Sequence, residues 1–390
     1  MSLPDGQFVE SLEVVGEYTL VMHLNEHTRQ LTQENYSWEM MISPTAFENA
    51  GDTLEERIEW ARSNSVGTGA FKVVEFQRDN LIVYERNDNY WREGMPYLDG
   101  IEIRFIPDPV TAAAIMEAGE ADVWHDVATV QNILDLQEAG LTVNWGPGMF
   151  WTLLPNSSDP ESPFAQREVR EAIEYAIDRP AIAEMIGYGH YEPLHQLAYS
   201  DWPGYVPGYD PRPYNVDKAI ELLADAGYEY GELEITILAL DTARDAAAAL
   251  QAALGDAGIV VELDMCDMGR YAGSVFGTGW TDLVFAAHGI NPSTTDLFIH
   301  FGPSPMTYRT GNIAKTPEYL ALCDEAVHTY DYAEYIAVIQ EIVQKAGEDV
   351  MIIPIYRSAQ AQVMQPYVHS DYILIHSVIW TPYDTWMEPH

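Results

Sequence analysis

Between residues 233 and 265 the chain passes through an apolar run, an amphipathic stretch and a second apolar run. No other feature of the sequence constrains the fold as tightly. Residues 233–240 and 259–265 read as strands and 243–257 as the helix between them. A β-α-β order of this length brings the two strands parallel, joined by a right-handed crossover. The fold is therefore expected to be α/β with mixed sheets.

The remaining pattern agrees with that class. Residues 8–24 alternate as two strands joined at Gly16-Glu17. Thr53 caps a short helix over 53–63, with Glu55 and Glu56 in its first turn. Strands at 71–76, 81–84 and 101–105 precede helices that begin near Val110 and Val130. The character changes near Trp151. A helical period over 167–187 is interrupted at Pro180, and a loop rich in Pro, Gly and Tyr runs from 191 to 214. A loop of that length without its own secondary structure points to a functional role. Asp217 is expected to cap a helix ended by Gly227. Residues 282–287 read as a strand, 318–346 as one helix and 351–356 as a returning strand. Segments of this length and order suggest two lobes.

Composition excludes several function classes. With 61 acidic against 19 basic side chains the formal net charge is −42. Nucleic acid and anionic membrane surfaces both need clustered Lys and Arg, and the chain has only four lysines, Lys72, Lys218, Lys315 and Lys345. A surplus of carboxylates keeps the surface solvated. It also suits a salty or extracellular habitat, and charge alone does not choose between the two. Cys266 and Cys323 are too few for a disulfide framework and are expected as buried free thiols. No apolar run approaches the ~20 residues that span a bilayer. Met1 to Gly6 carry neither a basic nor an apolar region, so they do not read as a signal peptide.

Catalytic motifs are missing from the sequence. It holds no Gly-x-Ser-x-Gly elbow, no phosphate-binding Gly-x-x-x-x-Gly-Lys-Ser/Thr and no His-Glu-x-x-His. His23 and His27 lie four apart on a predicted strand, where that spacing does not converge on a metal. His190 and His195 flank a short Pro193-containing loop, where a site is one reading and loop solvation the favoured one. Aromatic residues stand out instead, with 10 Trp and 24 Tyr. Most must be core, but large rings also line small-molecule clefts. No metal or cofactor site is expected.

Several stretches, taken in order, resemble the family 5 solute-binding proteins of peptide and nickel ABC importers. They begin with Ser65-Val66-Gly67-Thr68-Gly69-Ala70-Phe71-Lys72, where Ala70 replaces the family's proline, and Glu85-Arg86-Asn87-Asp88-Asn89-Tyr90-Trp91. Next come Tyr97 to Arg104, Ala118-Gly119-Glu120-Ala121-Asp122-Val123, and Val169 to Arg179. Tyr214 to Ala219 and Leu222 to Tyr228 complete the series. Each motif is first a scaffold element: Gly67 and Gly69 suit a tight turn, and Asp178-Arg179-Pro180 ends a helix. The resemblance implies a two-lobed periplasmic-binding-protein-like fold of type II, cluster C. It assigns 1–64 to a remnant of a small extra subdomain, 65–150 to the first lobe, 151–350 to the second and 351–390 to a return to the first. It also implies that the family's N-terminal section is missing, which leaves the first lobe incomplete, with an exposed sheet edge and apolar surface.

In function, the resemblance implies an extracytoplasmic receptor, lipid-anchored in its full-length form and monomeric. Such a receptor closes on a solute and delivers it to ABC permease subunits, without enzymatic activity. The hinge is expected near residues 150–156 and 350–356. Candidate lining residues are Trp151, Tyr356, Arg357 and Trp380, with Trp202 and Tyr205 on the long loop. Arg357 can grip a carboxylate with two parallel bonds, and a surface or interlobe ion pair is an equal reading of it. Peptide-binding relatives place an Asp four residues before a Pro to receive the peptide amine. Here Ala287-His288-Gly289-Ile290-Asn291-Pro292 puts His288 in that place, with Asn291 beside the proline. A neutral imidazole does not anchor an ammonium as a carboxylate does. The solute is then a peptide or, given His288, an acid, a sugar or a metal chelate. The competing class is a secreted carbohydrate-active hydrolase with two carboxylates facing each other in an aromatic-lined cleft.

Overall fold

A computed structural model of the chain describes residues 9–25, 43–125, 127, 129–288, 311–370 and 382–389. The residues form two compact units, Met1–Tyr36 with Gly148–Ala359 and Ser37–Pro147 with Gln360–His390. Grouped with the first unit is a hairpin of β1 (Val9–Gly16) and β2 (Thr19–Leu24), paired antiparallel. Its apolar side chains are open to solvent, Val14 at 77% and Tyr18 at 92% exposure. His23 on β2 reaches across to Glu13 at 3.1 Å, while His27 lies outside the described residues.

The second unit opens with α1 (Pro44–Asn49) and α2 (Leu54–Ala61). The α2 start is a capping box in which Thr53 accepts from the Glu56 amide and the Glu56 carboxylate accepts from the Thr53 amide. A three-stranded antiparallel sheet follows, β3 (Phe71–Gln77), β4 (Leu81–Arg86) and β5 (Gly100–Arg104). Then come α3 (Pro109–Glu117), β6 (Val123–Trp124) and α4 (Val130–Glu138). Met116, Val127, Ile133, Leu136 and Leu141 form the apolar cluster of this unit.

The chain enters the first unit along β7 (Thr142–Pro155) and continues through α5 (Arg167–Ala176), α6 (Arg179–Gly187) and β8 (Glu192–Pro193). α5 and α6 are the interrupted helix expected from Pro180: Asp178 caps α6 by accepting from the Ala181 amide. α7 (Val216–Asp225) is capped by Asn215, which accepts from the Lys218 amide, and not by Asp217. The correction has a simple cause, since Asp217 already lies in the first helical turn, where its charge favours the amide end of the helix. Gly227 follows α7 with φ +95°, a conformation that favours glycine. β9 (Glu234–Leu240), α8 (Arg244–Asp256) and β10 (Val260–Cys266) form the expected parallel β-α-β unit, in register from Glu234 opposite Val260 to Leu240 opposite Cys266. α9 (Met268–Gly273) and β11 (Leu283–His288) follow.

Residues 318–346 are two helices rather than one, α10 (Pro317–His328) and α11 (Tyr332–Glu348). Asp331 stops the continuation by accepting from the Ala333 and Glu334 amides, a new helix start. β12 (Ile353–Met364) is twice the expected strand. It keeps its extended course past the apolar run and through Arg357, Ser358 and Gln360. β13 (Val368–His369) and β14 (Trp386–Met387) pair antiparallel in the second unit.

In the first unit the strand order is β10-β9-β11-β7-β12, with β8 beside β12. β9 runs parallel to β10 and β11, and β11 runs antiparallel to β7. Side chains alternate along these strands, so the sheet separates two cores. Phe150, Leu154, Val284, Ala286 and Leu238 face α10 and α11. Leu153, Leu283, Phe285, Ile235 and Ile237 face α5, α6, α7 and α8. Cys266 and Cys323 are free and buried, as expected. Burial pushes the Cys323 thiol up to about 12, which leaves it protonated and unreactive.

β7 and β12 meet closely where the chain leaves one unit for the other. Ser358 Oγ accepts from the Met149 amide at 2.9 Å. A Cβ on Gly148 would lie 2.7 Å from the Ser358 carbonyl oxygen. Gly148→Ala is therefore expected to push the strands apart and cost about 1–3 kcal/mol, the usual range for overpacking. Adding Ser358→Gly should recover only part of this, because the backbone clash remains. Thermal denaturation of the three proteins checks the expectation.

Candidate functional site

Of the candidate residues, Trp151, Trp202, Tyr205, His288, Tyr356 and Arg357 all belong to the first unit. Asn291 and Trp380 lie outside the described residues. The six do not form one wall, because the sheet divides them between its two faces.

One face carries Trp151 and Tyr356. Trp151 on β7 packs against Phe285 on β11 at 4.8 Å between ring centroids and against Tyr356 at 6.1 Å. Tyr191, just before β8, stacks on Tyr356 at 5.1 Å and 27° between planes. Trp151 and Tyr191 remain partly exposed, while Tyr356 and Phe285 are buried beneath them. Burial pushes the Tyr191 phenol up to about 12 and that of Tyr356 well above its ordinary value. Both phenols therefore stay uncharged well above neutral pH.

The other face carries His288, Trp202, Tyr205 and Arg357. His288 is buried, with Nε2 3.0 Å from Thr152 Oγ1 and its ring 6.5 Å from Phe150. Register explains the grouping, since His288 pairs directly with Phe150 across the ladder and Thr152 lies two residues along. Trp202 is buried in the core, and Tyr205 packs against that core from its edge. Both sit on the long loop, which is tied down locally. Gln196 accepts from the Val206 amide at 2.8 Å and donates to the Val206 carbonyl at 2.9 Å.

Arg357 lies over Tyr199, its guanidinium carbon 3.8 Å from the ring centroid. Its Nη1 donates to Asp201 Oδ1 at 3.0 Å and lies 3.7 Å from Glu192 Oε2. One cation thus faces two carboxylates, so the cluster carries a net negative charge. Arg357 is engaged inside its own unit through Nη1, while its buried Nε has no hydrogen-bond partner among the described residues. Asp201, 69% exposed in its side chain, is the accessible member. Tyr199, Asp201, Glu192, Tyr191, Phe150 and Thr152 were not singled out from the sequence. The usable signal was the position of 191, 192, 199 and 201 in the long aromatic loop and on the short strand that pairs with Tyr356 and Arg357.

His195 lies 3.2 Å from Asp210, and burial holds its imidazole below the ordinary range. Among the described residues no group of three His, Cys, Asp or Glu side chains is arranged to hold a metal ion, and no helix is long and apolar enough to cross a membrane. A cavity of about 350 Å³ beside α7, lined by Ile220, Leu223, Tyr228 and Tyr230 among others, shares no residue with either cluster.

Known proteins place this geometry in a lineage. The glutathione-binding protein of Shigella flexneri is 29% identical over 242 residues, 61% of this chain and 45% of that protein. The glutathione-binding protein of Escherichia coli strain K12 matches to the same extent, 29% over 61% of this chain and 45% of its own length. The chain spans about half the length of the curated relatives it matches. Among solved structures, the periplasmic binding protein DppA of Helicobacter pylori in complex with the peptide STSA gives a TM-score of 0.85 at 21% identity. The match covers 98% of this chain and 75% of that one. NikA of Brucella suis in complex with Fe(III)-EDTA gives 0.82 at 23% identity, over 99% of this chain and 80% of the other. These likenesses show the periplasmic-binding-protein fold expected from the sequence. A family model for bacterial extracellular solute-binding proteins, family 5 Middle, matches residues 2–302, and the chain belongs to that family.

Proposed function

We propose that the protein is the extracytoplasmic receptor of an ABC importer, capturing a small peptide-like solute and presenting it to permease subunits. In this reading it works as a monomer without enzymatic activity, held at the membrane by a lipid anchor in its full-length form. The observation that carries the reading is the pair of ring-lined clusters on the first unit of a family 5 chain, with Asp201 as their exposed charge. Domain closure is assigned to the two strands that pass between units at 147–148 and 359–360. Relatives named for glutathione and a fold shared with a peptide complex support a solute of that kind.

The Arg357 cluster sharpens the solute chemistry. Two carboxylates against one guanidinium favour a cationic group over an anionic one, and Asp201 is placed to receive an ammonium where His288 is not. The solute then brings an amine toward Asp201, while Trp151 and Tyr191, on the opposite face of the sheet, are a separate candidate surface for an apolar group. Thermal-shift measurements with glutathione, short free-amine peptides, their N-acetylated forms and chelated iron test this. A solute present at a hundred times its Kd adds about 2.7 kcal/mol of stability. Free-amine peptides are expected to raise the melting temperature more than acetylated ones, and Asp201→Asn to abolish the difference. Indifference to every compound on that panel would sink the reading.

A further inference from the structure

The second unit holds a polar side chain that its fold does not use. Val363 on β12 pairs with Trp124 on β6, and Met364 with Val123. Continuing that antiparallel register by one residue sets Gln362 opposite His125. Ala361 and Val363 point into the apolar cluster beneath α3 and α4, so Gln362 and His125 share the opposite face. Gln362 is fully buried at 0% exposure. Neither its carboxamide nitrogen nor its oxygen has a hydrogen-bond partner.

That is an expensive arrangement for a residue with only a packing role. A carboxamide carries two donors and an acceptor oxygen, and burying them unpaired is opposed by their lost hydration. Methionine fills nearly the same volume without that penalty. Gln365, three residues further on, shows what a structural glutamine does here. It is also buried, and its amide nitrogen donates to the Met116 carbonyl at 2.7 Å and the Ala121 carbonyl at 3.2 Å. A buried polar group left unsatisfied by the fold is a mark of a functional position.

We infer that Gln362 recognises the solute, its carboxamide pairing with an uncharged amide or hydroxyl group of the bound molecule. This rests on the receptor reading above. A neutral amide supplies no counter-charge, so a solute carboxylate or ammonium brought to a site this dry would be left unbalanced. A peptide group meets the requirement, because its N–H and C=O match the acceptor and donors of the side chain.

The test compares the protein with Gln362→Met, each melted alone and with trialanine or reduced glutathione. Without peptide the variant is expected to melt about 2–4 °C higher, because an unpaired buried amide has gone. Its affinity for the peptide is expected to fall about tenfold or more, the loss of a buried hydrogen-bonding partner. A variant that melts lower than the parent, or fails to fold, shows that the amide is satisfied in solution and overturns the inference. Unchanged peptide affinity in the variant overturns it too, while leaving the receptor reading intact. A parent protein that responds to neither peptide removes both.

Discussion

Arg179→Met is expected to lower the melting temperature by roughly 5–15 °C, the largest single-residue effect outside the apolar core. Arg179 has 2% of its side chain exposed, and Glu174 beside it has 3%. Arg179 Nε donates to the Pro354 carbonyl at 2.7 Å and Nη1 to the Glu174 carbonyl at 3.2 Å. Glu174 also accepts from Arg212 Nη1 at 2.7 Å, and Arg212 donates further to the Gly347 and Glu348 carbonyls. Arg170 completes the set, bonding the Asp349 and Val350 carbonyls at 2.9 and 3.0 Å. Arg170 and Arg212 thus hold the end of α11 and the turn after it, and Arg179 holds the start of β12; in that turn Val350 sits at φ +48°, a costly conformation for a β-branched residue. Removing Arg179 leaves the buried Glu174 one guanidinium short and strands the Pro354 carbonyl. Breaking such a pair by deleting one partner costs about 3–5 kcal/mol. Pairing Arg179→Met with Glu174→Leu should cost less than the sum of the single changes, since the second removes the charge the first abandons. Calorimetry of the parent, both single variants and the double variant measures that coupling.

That network also shows where sequence reasoning reached and where it stopped. Arg170, Glu174 and Arg179 were legible as a family motif and as a helix break at Pro180, yet the Val350 carbonyl that Arg170 bonds and the Pro354 carbonyl that Arg179 bonds lie about 175–180 residues away. Backbone acceptors carry no sequence signature, so a motif of charged residues on an amphipathic helix reads as surface. Local features were read well because their causes are local. The capping box at Thr53 and the β-α-β unit at 234–266 depend only on neighbouring residues. The break at 329–331 was open to the same reasoning, since Asp331 with Glu334 three residues on is a helix-start pattern. The candidate site fared differently. Trp151, Tyr356 and Arg357 were picked for ring and charge, but which face of the sheet each joins depends on strand pairing. Gln362 was invisible for the same reason: a glutamine in a polar run looks exposed until β6 is laid beside it.

Phe285→Ala is expected to cost about 3–5 kcal/mol and to remove the solute response as well, because one ring supports both the core and the stacking face. Phe285 is 1% exposed on β11, pairs with Leu153 across the ladder and lies in the cluster shared with α5 through α8. Its ring underlies Trp151 at 4.8 Å and meets Tyr356 edge-on at 6.2 Å. Truncation opens a cavity beneath both, and the rings then lose the packing that fixes their planes. Phe285→Leu separates the two consequences. Leucine refills most of the volume, so the stability loss should shrink to about 1–2 kcal/mol, while an aliphatic side chain no longer offers an edge for Tyr356 or a face for Trp151. If the stacking face takes the apolar part of the solute, Phe285→Leu should melt close to the parent and bind the peptide less tightly. Equal affinity in parent and Phe285→Leu would mean that these rings serve the core alone, and the solute would then have to be sought on the Tyr199 and Arg357 face.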